Sequence, residues 1–261
     1  MKFVRFQLKG TDKISTGLLT DSRIKEITGD IFGYWILTET IYDEKEVILL
    51  SPVVPNQVIG IGANFVSTKE ELPENLPDMP VFFFKPTSSV IGTGETIKLP
   101  NGVDKVKFES ELAVIIGKEA KDLSESEVND YIFGYTVAND VTAPEYFHPD
   151  GHWTIGKSFD SFTPLGPAIE TNLDLKSIHV QSYLNDEKQQ DGELGLMILS
   201  LQKMVSYLST VMTLKPGDVI LTGAPVGAGY LVEGDTIECR IEGIGSLKNQ
   251  VSKTRRAAAT V

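Results

Sequence analysis

A single cysteine, Cys239, serves a chain of 261 residues, so neither an internal disulfide framework nor a thiolate metal cluster can be built. Its scarcity fits a reducing compartment, and within the alternating segment 237–241 it reads as a small core residue. No apolar run approaches the roughly 20 residues that a membrane-spanning helix needs, and Lys2 and Arg5 stand among apolar steps too short for a signal peptide. A soluble, cytoplasmic protein with no membrane partner is expected. Basic side chains are also in short supply: 24 Lys and Arg against 36 Asp and Glu give a formal net charge of −12. This argues against an extended phosphate-tracking surface, and with it against nucleic acid as a partner. An anionic small molecule would have to meet positive charge supplied locally, by a metal or by a few placed lysines and arginines. Also missing are the Gly-x-x-x-x-Gly-Lys-Ser/Thr and Gly-x-Gly-x-x-Gly phosphate loops, the Gly-x-Ser-x-Gly nucleophile elbow, and any internal repeat.

What is present centres on Phe-Glu-Ser-Glu-Leu-Ala-Val-Ile-Ile-Gly at 108–117. Glu109 and Glu111 stand two apart at the mouth of an apolar run, and in an extended chain that spacing points both carboxylates to one face. Two such carboxylates either repel or share a cation. The run behind them reads as a buried strand, where unpaired charges are costly and a divalent metal would hold both ionised. The alternative is a solvent-exposed strand end.

Read in order, the first fifty residues form short strands at 2–8, 14–19 and 24–27, then a helix-like segment at 31–39. Pro52 and Pro55 mark a linker, giving a small β-rich N-terminal domain over 1–55, a larger domain over 56–252 and a frayed tail over 253–261. Segment 65–76, with Glu70, Glu71 and Glu74 and few apolar anchors, reads as a mobile helical lid or loop. Lys85 ends a strand at 81–85. Ser124 precedes acidic residues and predicts an N-capped helix at 123–131. A strand at 132–141 ends at Asp140, which becomes the natural third carboxylate. His148 and His152 flank Pro149 and Gly151, so no helix would align their rings, and they read as surface loop residues. Segment 200–212 carries Leu201, Met204, Val205 and Leu208 at helical spacing. The glycine-rich loop 224–229 follows a buried strand at 219–221 and reads as backbone amides lining a small anion pocket, or as a plain turn. Many short strands with at most three helices predict a β-rich α+β fold whose loops carry the chemistry.

An ordered set of segments then resembles one family. Residues 58–64, Phe-Lys-Pro at 84–86, the 108–117 stretch, Gly-Tyr-Thr-Val-Ala-Asn-Asp-Val-Thr-Ala at 134–143, Lys-Ser-Phe-Asp at 157–160, Leu-Lys-Pro-Gly-Asp-Val-Ile-Leu-Thr-Gly at 214–223 and 241–249 together resemble the fumarylacetoacetate hydrolase superfamily. The resemblance implies a mixed β-sandwich roll, a homodimer, and an octahedral Mg²⁺ or Mn²⁺ held by Glu109, Glu111 and Asp140. It implies that Lys157 reaches the oxyanion of a small 2-oxo or β-diketo acid, with Lys85 assisting, and that Gln190, Thr222 and Gly223 contact substrate.

The chain also departs from the family pattern. Where the family carries a His and a Glu that activate water, this chain has Thr68 and Glu71. A threonine hydroxyl is not a general base near neutral pH, which leaves Glu71, or Glu70 beside it, to orient water. Pro144 stands where the family has an arginine for a substrate carboxylate, and Ala224 where it has a threonine. Decarboxylation or isomerisation through a metal-stabilised enolate needs the metal and a proton donor more than an activated water. That chemistry is therefore the expectation. Acylpyruvate-type C–C hydrolysis is the alternative, and a catalytically weak metal-binding or assembly homologue is a reading of another class.

Overall fold

The computed structural model describes residues 1–254, so the expected frayed tail lies, from residue 255 on, outside the described residues. Lys253 still belongs to a strand, Gly245–Lys253.

Three sheets organise the chain. A twelve-stranded sheet runs, in spatial order, Trp35–Asp43, Arg23–Gly29, Ile14–Thr20, Lys2–Leu8, Thr163–Glu170, Ile132–Asn139, Ser110–Ile116, Val219–Leu221, Val58–Gly62 and Val81–Lys85. Val47–Leu49 and Val90–Ile91 pair off its side. A five-stranded sheet runs Glu187–Glu193, His179–Leu184, Thr236–Ile241, Gly245–Lys253 and Thr96–Leu99. Val106–Lys107 pairs with Tyr230–Leu231 as a small ribbon. The N-terminal strands join the large sheet through Lys2 and Phe3, which pair with Glu170 and Ile169.

The strand Ser110–Ile116 is buried throughout because both of its faces are covered. Leu112, Val114 and Ile116 point into the larger core, shared with Ile237, Cys239 and Ile241 of the second sheet. Ala113 and Ile115 point the other way, into a core with Phe3 and Ile169. The period of two thus sets which core each side chain enters.

The one α-helix among the described residues, Leu201–Val211, is capped by Ser200, whose side chain accepts from Lys203 N, and it buries Leu201, Met204, Val205 and Leu208. Two other expected helices are not α-helical. In 31–39, Asp30 closes a tight turn by accepting from Phe32 N and Gly33 N, and Trp35–Asp43 is a strand. Its aromatic and β-branched side chains suit a sheet edge better than a helix. In 123–131 only a 3₁₀ turn, Val128–Asp130, forms, and the segment buries just Leu123 and Val128, too few apolar anchors for a docked helix. The Ser124 hydroxyl donates to the Glu127 carboxylate at 2.6 Å. Conversely, the polar strand Glu187–Glu193 gave no apolar signal, since it turns only Gln190 and Gly192 inward.

Candidate active site

The pairing of Ser110–Ile116 with Ile132–Asn139 assembles the acidic cluster. Ser110 lies opposite Asn139, so Glu109 falls opposite Asp140, and Asp140 N donates to Glu109 O at 2.8 Å. Directly opposed residues share a face, and Glu111 returns to that face two residues on. Carboxylate oxygens of Glu109, Glu111 and Asp140 lie within 4.8 Å of one another. Glu111 and Asp140 are buried and Glu109 is partly open.

Two buried lysines hold this cluster from the protein side. Lys85, at the end of Val81–Lys85, donates to Asp140 Oδ1 and, at 3.0 Å, to Val141 O. Lys157, from a 3₁₀ turn, donates to Asp140 Oδ2 and to Glu109 Oε2, the latter at 2.8 Å. Burial disfavours a charged Lys157, but Asp140 and Glu109 outweigh it and keep its ammonium above the ordinary lysine range. Asp140 is likewise buried, yet Lys157 and Lys85 hold its carboxyl below the usual value. Glu111 lies in the opposite situation: burial, then Asp140 and Glu109, push its carboxyl well up. The Lys157 ammonium, and after it one hydrogen bond from Gly223 N at 2.7 Å to Oε2, oppose that shift.

The cluster forms the floor of a cavity of about 590 Å³. Its walls include Phe83, Phe147 and Trp153 on one side and Pro225, Val226 and Tyr230 on another. Phe147 and Trp153 stack at 5.6 Å. Gly62 admits Trp153, because a Cβ there would lie 2.0 Å from the indole ring. The glycine-rich loop 224–228 lines the cavity.

The residues expected at the site divide into two groups. Glu109, Glu111, Asp140, Lys157 and Lys85 are brought together. Gly223 touches the cluster through its backbone, and Thr222 donates to Leu112 O, so its hydroxyl serves the sheet. Gln190 is fully buried: its carbonyl accepts from Ser110 N and Ser182 Oγ, and its amide donates to Pro225 O at 2.7 Å. It holds the 225 loop from behind. Glu71 lies in the exposed 3₁₀ turn Lys69–Glu71, accepts from Ser67 N at 2.8 Å, and is not among the cavity's lining. His148 and His152 are both exposed, within the loop region 142–160. Lys107, which lines the cavity, went unremarked in the sequence, although it alternates with Glu109 and Glu111.

The family description "Fumarylacetoacetate (FAA) hydrolase C-terminal" matches residues 57–252, and "Rv2993c-like, N-terminal" matches residues 1–52. The chain belongs to the fumarylacetoacetate hydrolase family. An oxaloacetate tautomerase of rat mitochondria is 35% identical over 219 residues, 79% of this chain and 70% of its own. The crystal structure of a 5-carboxymethyl-2-hydroxymuconate delta-isomerase from Mycobacterium smegmatis superposes with a TM-score of 0.90 at 36% identity, covering 97% of this chain and 100% of that one. A maleylpyruvate hydrolase from Sphingobium, solved with manganese(II) and pyruvate, gives a TM-score of 0.82 at 26% identity, covering 98% and 100%. Relatives of this chain are therefore enzymes that isomerise, tautomerise or hydrolyse. No helix among the described residues is long and apolar enough to cross a membrane.

Proposed function

We propose that the cavity binds a small 2-oxo carboxylate against Glu109, Glu111 and Asp140 and interconverts its keto and enol forms, a tautomerisation or isomerisation through an enolate. The observation that carries this reading is the cavity lining. It offers three converging carboxylates and the Lys157 ammonium, with no histidine, and Glu71 lies off it.

The all-oxygen donor set suits a hard divalent cation, and the raised carboxyl of Glu111 is one that such a cation would ionise. Mg²⁺ or Mn²⁺ held there would act as a Lewis acid on the 2-oxo group. The chain's own residues do the remainder. Lys157, locked as an ammonium by Glu109 and Asp140, presents positive charge where negative charge develops on the substrate oxygen. Lys85 fixes Asp140 from behind. Phe147, Trp153 and Val226 present apolar surface around the substrate and limit water at the reacting carbons. Loss of carbon dioxide from a β-keto acid would run through the same enolate.

The tautomerase and isomerase relatives support this reading; the manganese-bound maleylpyruvate hydrolase favours a second one, C–C hydrolysis. The two are separated by transferring enol oxaloacetate from an aprotic solvent into buffer with Mg²⁺ or Mn²⁺ and following its ultraviolet absorbance. Accelerated ketonisation that Glu109→Ala abolishes is the expected result. Release of pyruvate from an acylpyruvate, with ketonisation at the uncatalysed rate, would overturn it. Assembly as a homodimer belongs to the same proposal and is read by light scattering.

A further inference from the structure

We propose that Lys107 binds a second, distal carboxylate of the substrate and so selects 2-oxo dicarboxylates over 2-oxo monocarboxylates. This assignment rests on the reading above, in which the 2-oxo acid end of the substrate lies against the three carboxylates.

Lys107 precedes Glu109 and Glu111 by two and four residues and, like them, lines the cavity, with its Nζ 2.9 Å from Glu109 Oε1. Lys107 and Lys157 are the lysines lining the cavity, and no arginine lines it among the described residues. Their circumstances differ. The Lys157 side chain is 5% exposed and is held by both Glu109 and Asp140. The Lys107 side chain is 33% exposed and has one partner, Glu109 Oε1 at 2.9 Å. A partly exposed pair of this kind is held weakly, so Lys107 can turn to a better anion without breaking the cluster.

Its backbone, by contrast, is fixed. Lys107 N donates to Thr142 O at 2.7 Å and Thr142 N returns to Lys107 O at 2.9 Å. The Glu145 carboxylate accepts from Asp104 N at 2.9 Å and Lys105 N at 2.8 Å. Segment 104–107 is therefore strapped to 142–145, and Lys107 shares a cavity wall with Pro144. Pro144 carries no charge, and Lys107 offers a cation from the neighbouring segment of that wall. The remaining walls are largely aromatic and aliphatic: Phe83, Phe147, Trp153, Val226 and Tyr230. A distal carboxylate entering among them would find Lys107 as its available cation, whereas a distal methyl group would have no use for it.

Calorimetry with 2-oxoglutarate and 2-oxopentanoate tests this directly, because the two differ only in a distal carboxylate against a methyl group. With Mn²⁺ present, wild-type protein should bind 2-oxoglutarate about tenfold or more tighter, the size of one charge-assisted hydrogen bond. Lys107→Met should bring the two affinities together while leaving that for 2-oxopentanoate unchanged, and Lys107→Arg should retain the preference. A preference that survives Lys107→Met, an equal loss for both ligands, or no preference in the wild type would overturn the assignment. Neither ligand binding to the wild type would overturn both this assignment and the reading it rests on. A Lys107-dependent preference without accelerated ketonisation would support Lys107 and overturn the proposed reaction alone.

Discussion

The backbone N–H of Gly223 donates to Oε2 of Glu111 at 2.7 Å, so the turn that ends one strand holds the carboxylate of its neighbour. The contact follows from register: Ala113 pairs with Leu221, which brings Gly223 level with Glu111. Gly223 has φ +95°, and a Cβ there would stand 2.9 Å from Asn64 Cβ and 3.3 Å from Ile61 O. Both the conformation and the close approach call for glycine. Gly223→Ala should therefore lower unfolding free energy by about 1–3 kcal/mol, read from denaturant unfolding, and weaken Mn²⁺ binding in calorimetry. Wild-type stability and metal affinity in this variant would show that the turn does not position Glu111.

The protonation of Glu111 gives a signed pH dependence. Burial, then Asp140 and Glu109, place its folded-state carboxyl well above the ordinary value, so the metal-free fold binds that proton more tightly than the unfolded chain does. Its contribution to stability is then complete below the ordinary carboxylate range and is lost as pH rises through the folded-state value. A metal ligand must be ionised, so Mg²⁺ or Mn²⁺ binding should release protons from this group, more of them the lower the pH. Calorimetry in two buffers of different ionisation enthalpy measures the release, and Glu111→Gln should abolish it. In the same variant the metal-free protein should lose this falling limb of stability with pH. Metal uptake without proton release would contradict the placement of Glu111.

The carboxylate cluster was readable because it depends on short-range rules. Two-residue spacing set Glu109 and Glu111 on one face, and the same alternation, extended back by one step, points to Lys107. The helix Leu201–Val211 was readable from its Ser200 cap and its apolar spacing. Lys85 and Gln190 entered the site only through the family resemblance, because their places depend on sheet order. Lys85 reaches Asp140 because Val219–Leu221 lies parallel to Val58–Gly62, placing remote segments side by side with no local signal. Gln190 sits in a strand of polar residues, Glu187–Glu193, whose pairing is decided by the neighbouring strand His179–Leu184. Phe147 and Trp153 come from irregular chain, where no period announces which ring will face the cavity.

Cys239 reports on the core that supports this cluster. It lies in Thr236–Ile241, opposite Leu247 and Ser182, and burial pushes its thiol up to about 12. The native thiol should therefore stay protonated and inert toward a disulfide reagent in mildly alkaline buffer, because the thiolate is the reacting form. Reaction should appear only with denaturant, along the same curve as loss of tertiary circular dichroism. Immediate stoichiometric labelling of the native protein would show that the two sheets do not close over this strand as described.

Glu71 separates the two reactions considered for the cavity. Its side chain is exposed and occupied by Ser67 N, and Thr68, also exposed, makes no side-chain cap to the turn it precedes. If the protein isomerises its substrate, no water has to be activated, and Glu71→Gln should leave the rate of ketonisation unchanged. If it hydrolyses with Glu71 as general base, the same substitution should cost about 10²–10⁴-fold in turnover of an acylpyruvate. Measuring both substrates with one variant compares the reactions under identical folding and metal loading. A large loss confined to the acylpyruvate would place Glu71 in the chemistry and require segment 65–76 to close over the cavity. Hydrogen exchange across that segment, slowed by a bound 2-oxo acid in the first case and unaffected in the second, identifies which of the two holds.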